Sequence, residues 1–302
     1  MTDDDFLLHY ETGIEAARLA QGAGILERAR TVDLLSRHLP IPPARVLDVG
    51  GGPGVYAVWL AGLGYDVHLI DPVPLHVEQA RAAAARAGVV IEASVGDARK
   101  LPGPDASADA VLLMGPLYHL TERDHRVAAL AEARRVARPG GVVAGVGISR
   151  HTSLLDGLVR RLIDDPRFRA ILDRDLADGQ HRNPTDRLDY FTTTFFHRPE
   201  DLVAEAADAG LAGASVLAIE GPGWLLGDIA ARVEDAAHWT LLLDMLRRIE
   251  ADPALLAVSA HLMLIARRGA SPLRSPRKRS RGSSSPAGSS PRRRTAASSR
   301  AR

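Results

Sequence analysis

The chain has no cysteine among its 302 residues. That excludes disulfides, thiolate zinc sites, Cys-ligated iron–sulfur clusters and a cysteine nucleophile. Lysine is almost missing: Lys100 and Lys278 stand alone, and every other basic residue is arginine. Together with abundant alanine, this reads as genome composition rather than a functional choice. Aromatic residues make up only 4%, so any cluster of them marks a place to look. No apolar run approaches the ~20 residues of a membrane span, so no membrane partner is expected. The N-terminus, MTDDDFLLHY, lacks the basic start and apolar stretch of a signal peptide, and the expectation is a cytoplasmic protein. His181 and His197 have acidic neighbours, but no HxxxH or HExxH spacing occurs, so no metal is expected. G-x-S-x-G is absent too, which removes the nucleophile elbow of a serine hydrolase.

What is present is an ordinary globular composition, 46% hydrophobic and 25% charged. The net charge of +1 hides an asymmetry. Residues 269–302 hold ten Lys/Arg and no acid, leaving 28 basic against 37 acidic residues, a net of −9, for the rest. That tail is mostly Ser, Arg, Pro, Ala and Gly, with no large apolar residue after Leu273. It cannot bury enough surface to offset its ordering entropy and is expected to be disordered. The same composition serves an arm for polyanions and a dispensable extension; we read it as the extension.

Before the tail, strands and helices alternate. Residues 2–38 read as two helices, and Ile41-Pro42-Pro43 breaks the chain. Strands are expected at 45–50, 66–71, 89–95, 109–114 and 142–148. Helices are expected at 55–63, 75–87 and 122–137, the last stopped by Arg138-Pro139-Gly140-Gly141. This order argues a parallel, doubly wound sheet covered by helices. Residues 151–198 lose the rhythm and read as an inserted cap. A helix over 199–209, a strand over 214–220, two helices over about 225–250 and a strand over 261–266 follow.

The central feature is Val46-Leu47-Asp48-Val49-Gly50-Gly51-Gly52-Pro53-Gly54, a strand running into a glycine turn that opens a helix. Such a turn lets a ligand approach the backbone and meet the free N–H groups of the helix start. By itself it leaves the ligand open, because Gly52-Pro53-Gly54-Val55-Tyr56-Ala57 also satisfies the looser dinucleotide pattern G-x-G-x-x-A. Asp71, ending the second strand, suits ribose hydroxyls in either case. Three features favour a cationic, amino-acid-bearing ligand. Asp48 lies within the first strand, Gly96-Asp97-Ala98 follows the third, and the chain continues past the fifth into a last strand pair. Singly, Asp71-Pro72 is also a plain turn and Asp97 a helix cap; three acids at successive strand ends weigh toward binding.

VLDVGGGPG (46–54), LIDP (69–72), GDARKLP (96–102), DAVLLMGPLYHL (109–120), ARRVARPGGVV (133–143) and SAHLMLIARR (259–268) together resemble the class I S-adenosylmethionine-dependent methyltransferases. The small-molecule group of ubiquinone/menaquinone C-methyltransferase-like enzymes is the nearest in look. The resemblance implies a seven-stranded Rossmann-like sheet of order 3-2-1-4-5-7-6, its last strand antiparallel and placed at 259–268. It implies S-adenosylmethionine as cofactor. Asp48, Gly50, Gly52 and Gly54 would line its methionine part and Asp71 its ribose. Pro72 and Val73 would flank the adenine, with Asp97 and the Ala98 N–H at its amino edge. Met114 and Gly115 would floor the sulfonium.

Within that frame residues 1–268 form one methyltransferase domain. It comprises a helical lid (1–40), a cofactor core (41–150), a cap insertion (151–198) and a C-terminal part (199–268). His119, in the loop after the fourth strand, is the candidate base, because imidazole titrates near neutrality. A capping or core role fits it equally. Tyr118 would orient the substrate. Tyr10, Glu11 and Arg18 come from the lid. The cap offers Tyr190, Phe195 and His197, in a stretch holding four of the ten Tyr and Phe residues. Aromatics interleaved with His and Arg suit a pocket for a flat small molecule. The expected function is methyl transfer to carbon, nitrogen or oxygen of a small molecule. An NAD(P)-dependent oxidoreductase is one alternative, though no Tyr-x-x-x-Lys pair is seen. A nucleic-acid methyltransferase using the basic tail is another. Against it stand the −9 charge of the remainder and Met114-Gly115-Pro116-Leu117 where an Asn/Asp-Pro-Pro-Tyr motif would sit.

Overall fold

The computed structural model describes residues 18–269; Tyr10, Glu11 and the tail from residue 270 lie outside the described residues. In chain order the helices are α1 (Ala23–His38), α2 (Val55–Gly62), α3 (Pro74–Ala87), α4 (Pro116–His119) and α5 (Arg123–Val136). After them come α6 (Thr152–Val159), α7 (Pro166–Asp178), α8 (Pro199–Asp208), α9 (Ile229–Glu234) and α10 (Ala236–Ile249). None is long and apolar enough to cross a membrane.

Strand β1 (Arg45–Val49) is the middle of the sheet. It pairs in parallel with β2 (Asp66–Asp71) on one side and β4 (Ala108–Leu113) on the other. Beyond them lie β3 (Glu92–Val95) and β5 (Ala137–Ser149), also parallel. These strands are apolar on both faces because helices cover both. Leu47 and Val49 face the core under α5 and α8, whereas Val46 faces that under α1, α2 and α3. With a side-chain period of two, Asp48 points to the α1–α3 face. Turn chemistry sets the helix ends: α3 opens on Pro74 and stops at Gly88, φ 67°.

The far edge is antiparallel. β9 (His261–Arg267) pairs with β5 from Val142↔Arg267 to Ile148↔His261, and β8 (Ser215–Ala218) pairs with β9. The main sheet therefore runs β3-β2-β1-β4-β5-β9-β8, the expected order with its last strand antiparallel.

Three expectations need correction. The cap, read without a clear strand–helix rhythm, contributes β6 (Gln180–His181) and β7 (Thr194–His197), which add two strands to the expected seven. Ile148 pairs with His261 on one side and Phe196 on the other, so β7 lies on the β4 side of β5, beyond the end of β4. Second, the strand expected over 142–148 starts earlier, at Ala137, directly after α5, and Arg138-Pro139-Gly140-Gly141 interrupts it. Ala108 faces Ala137 and Ala110 faces Val142, so the four residues between loop out of register. Third, the strand expected over 89–95 begins only at Glu92.

Buried Arg30 ties α1 to the C-terminal part. Its Nε donates to the Ile219 carbonyl at 3.0 Å, and its guanidinium pairs with Asp33 and Glu250. A buried arginine costs several kcal/mol unless fully paired, and here it is paired on every side.

Candidate active site

At the carboxyl ends of β1, β2, β3 and β4 the chain leaves a cleft with a cavity volume of about 160 Å³. The glycine turn forms part of its lining. Gly54 opens α2 at φ 87°, and a Cβ there would meet Ala80 Cβ at 2.8 Å, so glycine is needed for both conformation and packing. Gly50, Gly51, Gly52 and Pro53 line the cleft.

Asp71 fastens this turn. Its Oδ2 accepts the Gly52 N–H at 2.9 Å. Its Oδ1 accepts the Val73 N–H at 2.9 Å and lies 3.1 Å from His76 Nδ1. A carboxylate oxygen takes two hydrogen bonds, so Oδ2 retains a second acceptor site, and Asp71 lines the cleft. That is the geometry a ribose hydroxyl needs, and the acid fits the group expected there.

Asp97 and Ala98 line the same cleft one strand further on, with Pro72 and Val73 beside them. Asp97 is half exposed and bound by Arg99, whose backbone N–H and guanidinium both donate to it. That hydrogen bonding holds the Asp97 carboxyl below the usual range despite partial burial. Met114 anchors the end of β4 through its N–H to the Val49 carbonyl at 3.0 Å. Tyr118 donates to the Met114 carbonyl at 3.2 Å, and its ring centre lies 4.6 Å from that of His119. Met114, Tyr118 and His119 all line the cleft.

Residues 46–141 match the family model described as a methyltransferase domain. Over these residues the chain carries a methyltransferase domain. A ubiquinone biosynthesis O-methyltransferase from Methylocella silvestris is 34% identical over 132 residues, 39% of this chain and 50% of that protein. A ubiquinone/menaquinone biosynthesis C-methyltransferase from Bordetella avium is 36% identical over 112 residues, 36% of this chain and 43% of that one. The chain thus spans about half the length of the curated relatives it matches. A solved S-adenosylmethionine-dependent methyltransferase from Methanosarcina mazei shares the fold, with TM-score 0.52 at 17% identity over 79% of this chain and 98% of that one.

Several expected site residues of the methyltransferase domain sit differently. Asp48 does not line the cleft. It is fully buried beneath Gly51, where a Cβ would come within 2.5 Å of its Oδ2. Burial and the nearby Asp71 push its carboxyl up to about 7. The Ala57 N–H opposes the shift. Tyr190, Phe195 and His197 are not cleft residues either. Tyr190 donates to Asp165 at 2.8 Å and packs on Phe168. Phe195 lies under the Arg126 guanidinium, 3.7 Å from its ring centre, and meets His197 edge-on. His197 is buried 3.5 Å from Glu205, and burial lowers its pKa despite that neighbour. Phe195 and His197 thus anchor the cap to α5 and α8, whereas Tyr190 packs within the cap. Tyr10 lies outside the described residues.

The structure adds residues that the sequence reading missed. Glu27, Thr31, Tyr56, His76, Val146 and Ile219 line the cleft, with Arg18. Glu27, Arg30 and Thr31 occupy positions i, i+3 and i+4 of α1, one helix face. Three polar residues on the buried face of an amphipathic helix were the available signal. Arg18 donates twice to Glu27, at 2.5 and 3.0 Å. Behind Glu27, His261 Nδ1 lies 3.8 Å from its carboxylate and 2.6 Å from Glu220. Burial disfavours a charged His261, but Glu27 and Glu220 outweigh it and raise its pKa to about 9. Glu27 in turn stays ionised: burial opposes this, while His261 and Arg18 overcome it. Glu27, Glu220 and His261 place possible ligand atoms within 4.8 Å of one another. The 2.6 Å contact makes the His261–Glu220 pair a hydrogen-bonded ion pair.

Proposed function

We propose that the chain binds S-adenosylmethionine in this cleft and moves its methyl group to a small-molecule acceptor. One observation carries the reading. The glycine turn, Asp71 with a spare acceptor site, Asp97-Ala98 and the Met114 floor all meet in a single cleft that also holds His119. When bound, the sulfonium supplies an electrophilic methyl carbon. The chain's part is to align the acceptor, keep water out and, for a protonated nucleophile, accept a proton. In this reading His119 takes that proton and Tyr118 orients the acceptor; both line the cleft. The names of the relatives favour a phenolic quinone head group as the first acceptor to try. The −9 charge of residues 1–268 disfavours a nucleic-acid acceptor. The cytoplasm is the location that fits this chemistry.

The test is incubation with methyl-labelled cofactor and a panel of small phenols, amines and oligonucleotides. Label should enter a small molecule, and His119→Asn should lower turnover by ~10²–10⁴-fold without weakening cofactor binding. Label entering only oligonucleotides would overturn the acceptor class. Full turnover in the variant would remove His119 as the base.

A further inference from the structure

The segment that brings His119 to the cleft is short. α4 is a single turn, closed by the Leu120 N–H on the Pro116 carbonyl at 2.9 Å, and α5 begins at Arg123. So brief a helix leaves the carbonyls beyond its end to find partners elsewhere. One buried arginine meets two of them. Arg126 Nη1 donates to the Leu120 carbonyl at 2.9 Å and to the Thr121 carbonyl at 2.8 Å. Its Nε and Nη2 donate to Glu205 Oε1 of α8, at 2.9 and 2.7 Å. The Phe195 ring of β7 lies against the same guanidinium. Gln180 of β6 adds a support from the cap, its Nε2 donating to the Thr121 carbonyl at 3.0 Å. A carbonyl oxygen accepts two hydrogen bonds, so Thr121 is held from α5 and from the cap at once.

Apolar side chains of similar volume often stabilise a core as well as a buried ion pair does. They lack the rigid fork of donors that ties two carbonyls and a carboxylate to one point. Arg126 itself does not line the cleft, whereas Leu120 and His119 do. Resting on the reading above that His119 takes the acceptor's proton, we infer that Arg126 is a positioning residue for His119. It fixes the backbone directly after the imidazole. Glu205, Phe195 and Gln180 make α8 and the cap the frame against which that backbone is held. The cap thus reaches the chemistry without contributing a residue to the cleft. A displacement of about 1 Å can cost a reacting group ~100-fold in rate, so the tie bears on catalysis.

The experiment follows the imidazole by NMR of the full chain, labelled with carbon-13 at histidine Cε1. The His119 signal is the one that His119→Asn removes. Arg126→Lys keeps a charge for Glu205 but has no fork for both carbonyls, and its His119 signal should shift or broaden. Gln180→Met removes the cap's bond to Thr121 and leaves Arg126 in place. It should move the same signal by less, and it decides the matter where Arg126→Lys fails to fold. His68 of β2, which hydrogen-bonds Ser94 at 2.7 Å, should stay where it is in both variants. Affinity for S-adenosylhomocysteine should change by less than about twofold in calorimetry, because Arg126 shares no partner with the glycine turn or Asp71. An unmoved His119 signal in both variants, or one that moves only together with that of His68, would overturn the inference whatever His119 does. A moved signal beside full turnover of His119→Asn on the labelled panel would uphold the tie and overturn the reading of His119 as the base.

Discussion

The Asp71 carboxylate accepts the Gly52 N–H at 2.9 Å, so the acid at the end of β2 fixes the turn that follows β1. The residue expected to hold ribose is thus also a structural tie. The two strands are parallel neighbours, and both residues of the link line the cleft.

Asp71→Ala should therefore do two things. Freed Gly52 and Val73 N–H groups should cost about 1–3 kcal/mol of stability, measured by urea unfolding. Affinity for S-adenosylhomocysteine should fall tenfold or more in calorimetry. Loss of stability with unchanged affinity would leave Asp71 as a turn residue alone.

Asp48 carries the opposite liability. Its folded pKa of about 7 lies above its ordinary 3.8, so the folded state prefers the protonated acid. Its stabilising contribution is complete below about pH 4 and is lost as pH rises through 7. Asp48→Asn lacks this titration. The variant should gain on wild type between about pH 4 and 7, by on the order of a few kcal/mol, and hold that lead above 7. Parallel urea midpoints across that window would contradict a buried, protonated Asp48.

His261 titrates at the other end of the scale. Its folded pKa of about 9 exceeds its ordinary 6.5, so its contribution is full below about pH 6.5 and is lost as pH rises through 9. Between pH 6 and 10 wild type should lose up to about 3 kcal/mol that His261→Gln does not lose. Unfolding free energies of both proteins at the two pH values decide it. Equal slopes would mean that the imidazole is not held charged by Glu27 and Glu220.

Much of the fold is written locally. The buried strands Arg45–Val49, Asp66–Asp71 and Ala108–Leu113 are apolar runs closed by turn residues, and their pattern survives any context. The glycine turn and the acids at strand ends are legible for the same reason. The cap was not. Thr194–His197 is a four-residue strand that exists only because β5 outruns β4 and leaves an edge to pair with. Phe195 and His197, polar–aromatic in sequence, look like pocket residues, yet Arg126 and Glu205 from distant helices claim them. Asp48 was read as lining the cleft because spacing gives proximity but not which face of the strand meets solvent. Glu27 is illegible in the sequence because its partner His261 lies more than 200 residues further along the chain.

The most direct measurement is a pair of calorimetric titrations of the full chain, one with S-adenosylhomocysteine and one with NADH. The glycine turn alone admits either ligand; the geometry around Asp71, Asp97 and Met114 favours the first. Saturable one-to-one binding of S-adenosylhomocysteine with no heat from NADH at the same concentrations is the predicted result. Saturable binding of NADH, with S-adenosylhomocysteine inert, would contradict the account.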